Sequence, residues 1–460
     1  MKEKSRGQWQ TRFGFVMAAI GSAIGLGNLW AFPYKMGKGG GFSFLLIYLV
    51  FVAVIGFIIM LGELAIGRHG RGDPITSYEK VSRGWAFNGV IAVIVPILIT
   101  SFYSVLGGWV IKYVITYVQE LFGAGFRGLS GTDFFVSFVS GYEGLFWHVV
   151  FMAVTVFIVM MGVEKGIEKW SKVLMPALFV LLLIIIIRSV TLPGAGEGIA
   201  FMLKPDFTVF TDPKSFLSVA ASAMAQMFWS LSLAMGIIIT YGSYLPEESD
   251  IERNAVIIPF FDTLAAVMAG LAIMPAVFAL GLDPASGPSL MFITLPEVFR
   301  QMPMGSLFGL MFYILVFFAA LTSGISLLEV STAAMVDRAH WSRKKAAVVM
   351  GVIIAVIGIP SALSQGAWSG VRPLLGMDLL DTIDYISEYT LMPICAFLSC
   401  IFISRVWGVD SVVDEVSCHG RLAFRSRKFY AFMVKYVTPL LIIILWYNSC
   451  IQPIINYVSA

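Results

Sequence analysis

Gly21-Ser22-Ala23-Ile24-Gly25-Leu26-Gly27-Asn28 lies at the centre of the first long apolar stretch of the chain. Three glycines and an asparagine are a poor composition for a buried helix, since each glycine costs about 1 kcal/mol relative to alanine. The helix is expected to unwind here. Freed main-chain N–H and C=O groups cannot face hydrocarbon, so a break at this depth must line a cavity or be buried in protein. The sixth apolar stretch repeats the anomaly, with Gln226, Ser230 and Ser232 ahead of Gly236. Interrupted helices at corresponding places in two halves of a chain point to the substrate site of a secondary transporter. Unwound carbonyls suit a cation and half-helix N-termini suit an anionic group, so a zwitterionic amino acid travelling with sodium would use both. Close helix packing through small residues is the competing explanation of the same composition.

The rest of the chain agrees with a membrane setting. Of 460 residues, 58% are apolar and only 13% charged, about half the charge of a soluble domain. This excludes a soluble enzyme. A span needs about 20 apolar residues, and eleven candidate stretches occur, near 14–36, 42–67, 87–121, 145–162, 168–191, 216–241, 255–281, 305–335, 346–363, 380–404 and 429–457. The expected fold is an all-α polytopic membrane protein of about eleven transmembrane helices, a single transporter domain over 1–460. Its spans 1–5 (14–191) and 6–10 (216–404) would form an inverted 5+5 repeat with helices 1 and 6 broken, and 429–457 would add span 11.

Lys and Arg number 21 in one set of alternating segments and 8 in the other. By the positive-inside rule the N-terminus is expected in the cytoplasm and, after an odd number of spans, the C-terminus outside. The opening Met1-Lys2-Glu3-Lys4-Ser5-Arg6 is followed by a long apolar stretch without a cleavage context, so it reads as a retained span rather than a signal peptide. A net charge of +3 is no nucleic-acid footprint. The cysteines Cys395, Cys400, Cys418 and Cys450 have neither metal nor disulfide-framework spacing.

Asp262 is the second anomaly. Inside the seventh span a charge costs at least 2.5–3.5 kcal/mol, so it is expected to face a cation or stay protonated; a span end reaching the interface is the alternative. The eighth span adds Ala319, Thr322, Ser323 and Glu329, oxygen donors that suit a hard alkali cation.

These residues resemble the neurotransmitter:sodium symporter family. The resemblance runs through Trp9-Gln10-Thr11-Arg12, the glycine-rich stretch with Leu29-Trp30-Ala31-Phe32-Pro33-Tyr34, Gly39-Gly40-Gly41, Gly62-Glu63, Gly67-Arg68, Gly166 and Pro176, Ser230-Leu231-Ser232-Leu233, Leu321-Thr322-Ser323, and Asp337 with Ser342-Arg343-Lys344. It covers nearly the whole chain, which looks like the bacterial amino-acid transporters of eleven spans in that family. It implies two sodium sites, one from the Ala23 carbonyl with Asn28, Ser230 and Asp262, the other from the carbonyls of Gly21, Ile24 and Ala319 with Thr322 and Ser323. The substrate carboxylate would meet the amides of Leu26 and Gly27 and the Tyr103 hydroxyl, and its ammonium the carbonyls near Ala23, Trp229 and Ser230. The side-chain pocket would be Ser22, Ile99, Trp229, Ser232, Met235, Ser323 and Leu327. An inner gate would pair Arg6 with Asp337 beside Trp9 and Tyr244.

Three departures from the family pattern carry expectations. Asp262 stands where the family has asparagine, and Ala266 where chloride-dependent members have serine, so a carboxylate replaces the charge of chloride and chloride is not expected. Ala31 stands where the outer-gate arginine is usual, leaving Lys35 to stand in opposite Asp384, as a point charge rather than a bidentate fork. Met235 replaces a usual phenylalanine, and its pliable side chain favours a bulky hydrophobic or aromatic amino acid.

The resemblance implies alternating access, with spans 1, 2, 6 and 7 rocking against 3, 4, 8 and 9, and with span 5 unwinding between Gly166 and Pro176. The expected setting is a multi-pass protein of the cell (inner) membrane, monomer or weak homodimer, with membrane lipid, sodium and an amino acid as partners. No organic cofactor, nucleic acid or catalytic residue is expected. A proton-coupled transporter of the same fold and a non-transporting sensor remain alternatives. An intramembrane hydrolase lacks a second membrane carboxylate in a suitable context, and its histidines are scattered.

Overall fold

Every main-chain N–H and C=O of a chain crossing hydrocarbon must be paired within its own segment, which leaves helices as the economical solution for apolar runs of this length. The computed structural model describes residues 8–284 and 290–459, and among these it is helical throughout without a strand. Among the described residues, nine helices are long and apolar enough to cross a membrane: Phe42–Gly70, Arg83–Glu120, Glu143–Met160, Val163–Val190, Ile251–Ala279, Gly305–Arg338, Arg343–Leu363, Leu379–Trp407 and Arg427–Ser459. They are spans 2–5 and 7–11. The bent pair Arg12–Ala23 and Gly27–Lys38, meeting at 46°, is span 1. Span 6 is the broken pair Pro213–Ser230 and Ile237–Gly242.

Both expected breaks occur where the composition placed them. Span 1 leaves the helix at Ile24, whose φ −77° and ψ 90° turn its carbonyl out of the helical ladder. Span 6 is non-helical from Leu231 to Gly236, and there Ser232 and Ala234 hold positive φ values of 54° and 60°. Non-glycine residues in that region cost about 1–3 kcal/mol each and persist only where surroundings enforce them. Part of the enforcement is Glu63 of span 2, 1% exposed, whose Oε1 accepts the Ala234 N–H at 2.7 Å.

Spans 3 and 8 pack along each other as the longest helices, flanked by spans 4 and 9, while span 1 lies against spans 5, 7 and 8. Their mutual faces are buried, whereas Phe157, Val173, Ile187, Val352 and Leu440 are exposed on the periphery, as lipid contact requires. Short π-helical turns interrupt several spans, at Val52–Gly56, Val163–Glu168 and Tyr385–Leu391 among others. Gly67 lets spans 2 and 6 touch main chain to main chain, since a Cβ there would lie 2.0 Å from the Ile239 carbonyl oxygen.

Candidate functional site

Asp262 is wholly buried in the interior of the helix Ile251–Ala279, which removes the alternative of a span end at the interface. Its carboxyl collects donors from three helices. Asn28 Nδ2 donates to Oδ1 at 2.7 Å, Ser230 Oγ to Oδ1 and Oδ2 at 3.0 and 2.8 Å, and the Tyr48 hydroxyl to Oδ2 at 3.2 Å. The Asn28 amide nitrogen can only donate, and the two hydroxyls can donate or accept, so the carboxyl is fully surrounded by hydrogen-bond partners. The two breaks are tied directly as well, because Gln226 Nε2 donates to the Gly27 carbonyl at 2.8 Å.

The second proposed cation set lies where span 8 passes the end of the first half of span 1. Ser323 Oγ donates to the carbonyls of Ser22 and Gly21 at 3.0 and 3.4 Å, and Thr322 Oγ1 donates to Ala319 at 3.1 Å. A Cβ on Gly21 would sit 3.3 Å from Thr322 Cβ, so the two chains already touch. Gly21, Ala319, Thr322 and Ser323 are thus brought together. Ile24 and Ala23 end the same helix.

Between the breaks is a small cavity of about 20 Å³, room for little more than one water, lined by Ser22, Ala23, Gly27, Ile99, Tyr103, Trp229, Ser232, Met235, Ser323 and Leu327 among others. All of these are expected around the substrate, whereas Leu26 and Ser230, also expected there, do not line this cavity. The Leu26 N–H already donates to the Tyr103 hydroxyl at 3.2 Å. Trp229 explains the small volume: its ring stacks on Phe102 at 5.9 Å and presses on Gly27, where a Cβ would be 2.2 Å from Trp229 Cδ1. The indole therefore lies against Gly27.

One gate pairing differs from expectation. Lys35 Nζ pairs with Glu388 Oε1 at 3.0 Å, both side chains 6% exposed, rather than with Asp384. Asp384 is hydrogen-bonded to Glu388 instead. The two carboxyls lie one turn apart, where the span is π-helical over Tyr385–Leu391. At the other end Trp9 Nε1 donates to the Tyr241 carbonyl at 3.1 Å, and its ring packs edge-on against Tyr241 and Tyr244. The Tyr244 hydroxyl donates to Glu329 at 2.7 Å, and Arg343 pairs with the same carboxylate at 2.5 Å. Asp337 accepts the Asp73 N–H at 2.8 Å. Arg6 lies outside the described residues.

Sequence reasoning missed Tyr48, and met Gln226 and Glu63 without assigning them a contact; Glu329, grouped with the cation donors of span 8, instead faces Tyr244 and Arg343 at the inner end. A lone carboxylate inside an apolar span is a readable signal; a tyrosine or a serine is not.

Comparison with known proteins gives the same picture. The model of the sodium:neurotransmitter symporter family matches residues 6–123 and 140–459. An uncharacterised sodium-dependent transporter, YhdH of Bacillus subtilis, is 39% identical over 97% of this chain and 98% of its own length. The human sodium- and chloride-dependent taurine transporter is 25% identical over 96% of this chain and 77% of its own. The crystal structure of MhsT in complex with L-phenylalanine superposes with a TM-score of 0.88 at 40% identity, covering 97% of this chain and all of that one. The chain is therefore a multi-pass, sodium-dependent transporter belonging to the sodium:neurotransmitter symporter family.

Proposed function

We propose that this protein is a sodium-coupled symporter of a bulky hydrophobic or aromatic amino acid, working by alternating access without chloride. The observation that carries the reading is the wholly buried Asp262, held by Asn28, Ser230 and Tyr48 at the junction of two broken helices. A fixed negative charge there suits a cation, and supplies the charge that chloride would otherwise bring. The likeness to MhsT bound to L-phenylalanine supports an aromatic substrate.

In this mechanism one sodium is held by the Ala23 carbonyl, Asn28, Ser230 and Asp262, and is closed off by the substrate carboxylate. The other is held by Gly21, Ile24, Ala319, Thr322 and Ser323. The substrate carboxylate takes the amides of Leu26 and Gly27 and the Tyr103 hydroxyl. Sodium and amino acid stabilise one occluded arrangement, so each raises the affinity for the other. Spans 1, 2, 6 and 7, two from each of the five-span repeats 14–191 and 216–404, then rock against spans 3, 4, 8 and 9 and exchange the open side. Lys35 and Glu388 close the outer end, and Trp9, Tyr244, Glu329, Arg343 and Asp337 the inner end. The protein lies in the cell membrane with its N-terminus in the cytoplasm.

The test is uptake of labelled L-phenylalanine into proteoliposomes under an inward sodium gradient, with choline replacing sodium in the control. Sodium-dependent accumulation is expected. Accumulation driven equally well by a proton gradient in choline would favour proton coupling, and sodium-dependent binding without flux would favour a sensor.

A further inference from the structure

Four serines of the cavity, Ser22, Ser232, Ser323 and Ser326, form one hydrogen-bonded cluster, and counting its protons decides what it can still bind. A hydroxyl has one proton to give and two lone pairs to receive. The break in span 1 frees the Ser22 carbonyl, and two hydroxyls cap it, Ser232 at 3.0 Å and Ser323 at 3.0 Å. Ser326 spends its proton on the Ser323 carbonyl at 2.8 Å. The Ser22 hydroxyl has two neighbouring oxygens, Ser326 Oγ at 2.8 Å and Ser232 Oγ at 3.1 Å, and one proton to divide between them. Ser326 and the Tyr241 hydroxyl are also hydrogen-bonded to each other. All four protons are thus committed inside the cluster. Lone pairs remain on Ser22 and Ser232, both 3% exposed and both lining the cavity.

The cavity wall is otherwise apolar near them, with Ile99, Met235, Ile237 and Leu327. A large ring entering it removes water from these oxygens. If the ring has no donor, buried acceptors go unpaired, which is the expensive side of hydrogen-bond exchange.

We propose that Ser22 and Ser232 form an acceptor pair that selects substrates whose side chain carries a hydrogen-bond donor, the indole N–H of tryptophan or the phenol of tyrosine, over rings of equal size without one. This rests on the amino-acid reading above and narrows it.

The experiment compares sodium-dependent binding of L-tryptophan and benzothienyl-L-alanine, in which sulfur replaces the indole N–H at nearly constant shape, to the full-length protein. Tryptophan is expected to bind about five- to tenfold tighter, the value of one such hydrogen bond. Ser22→Ala and Ser232→Ala should each shrink that ratio. Equal affinities in the unmutated protein, or an unchanged ratio in both variants, overturn the selection by these serines while leaving amino-acid transport standing. No sodium-dependent binding of either compound, with L-phenylalanine also failing, overturns the amino-acid reading and this inference together.

Discussion

Asn28 donates its side-chain amide to both the carboxylate and the main-chain carbonyl of Asp262, at 2.7 and 3.1 Å. The bond ties the π-helical turn after the break in span 1 to the middle of span 7, so whatever occupies the carboxylate also sets the position of the half-helix beyond the break. Under the proposed mechanism this pair is what carries the coupling between ion and substrate.

Replacing the carboxylate tests the charge argument. Uptake by the unmutated protein is expected to be indifferent to exchange of chloride for gluconate. Asp262→Asn keeps the shape and removes the charge, and its residual uptake should become chloride-dependent. Initial rates in the two salts measure this, and equal rates for the variant would contradict it.

Lys35 and Glu388 form a buried pair, and removing one partner of such a pair costs about 3–5 kcal/mol because the other charge is stranded. Lys35→Met and Glu388→Met should each lower the thermal unfolding midpoint in detergent. The double variant should recover most of the loss. If Lys35→Met is matched by Asp384→Asn rather than by Glu388→Met, the pairing is wrong.

Gly67→Ala places a methyl against the Ile239 carbonyl, which cannot yield as a flexible side chain would. Spans 2 and 6 must separate, and a loss of about 1–3 kcal/mol is expected, typical of overpacking. Denaturant unfolding monitored by helicity reads this directly.

Outside the spans, Glu415 carries a pH signature. Partial burial pushes its carboxyl up, but the hydrogen bonds from His69 and Arg68 outweigh this and hold it below the usual range. A depressed folded value contributes stability above the unfolded value of about 4.3 and loses it as the pH falls through the folded value. Glu415→Gln should therefore lower the unfolding midpoint at neutral pH, and the gap to the unmutated protein should close in acid. A gap that widens in acid would contradict the assignment.

Much of this architecture was legible because membranes enforce simple rules. Gly21, Gly25, Gly27 and Asn28 have no business in an ordinary apolar helix, and Asp262 has none in a span, so both announced the site. The π-helical turns were not legible, since one extra residue in a turn leaves no mark in composition. Lys35 was matched to Asp384 through the family resemblance, which names the outer-gate acid but not the neighbour a turn away, Glu388, that Lys35 meets in the structure. The collapse of Trp229 onto Gly27 was hidden for a similar reason, because a residue type names a wall of the cavity without saying where its ring lies.

The central claim is that sodium and amino acid share one structural unit between the broken helices. Its most direct test is reciprocal binding at equilibrium: the affinity for labelled L-phenylalanine over a range of sodium concentrations, and the affinity for labelled sodium with and without the amino acid. The same factor is predicted in both directions, as linkage requires, and it should shrink in Asp262→Ala. Independent binding, with neither ligand altering the affinity for the other, would contradict the account.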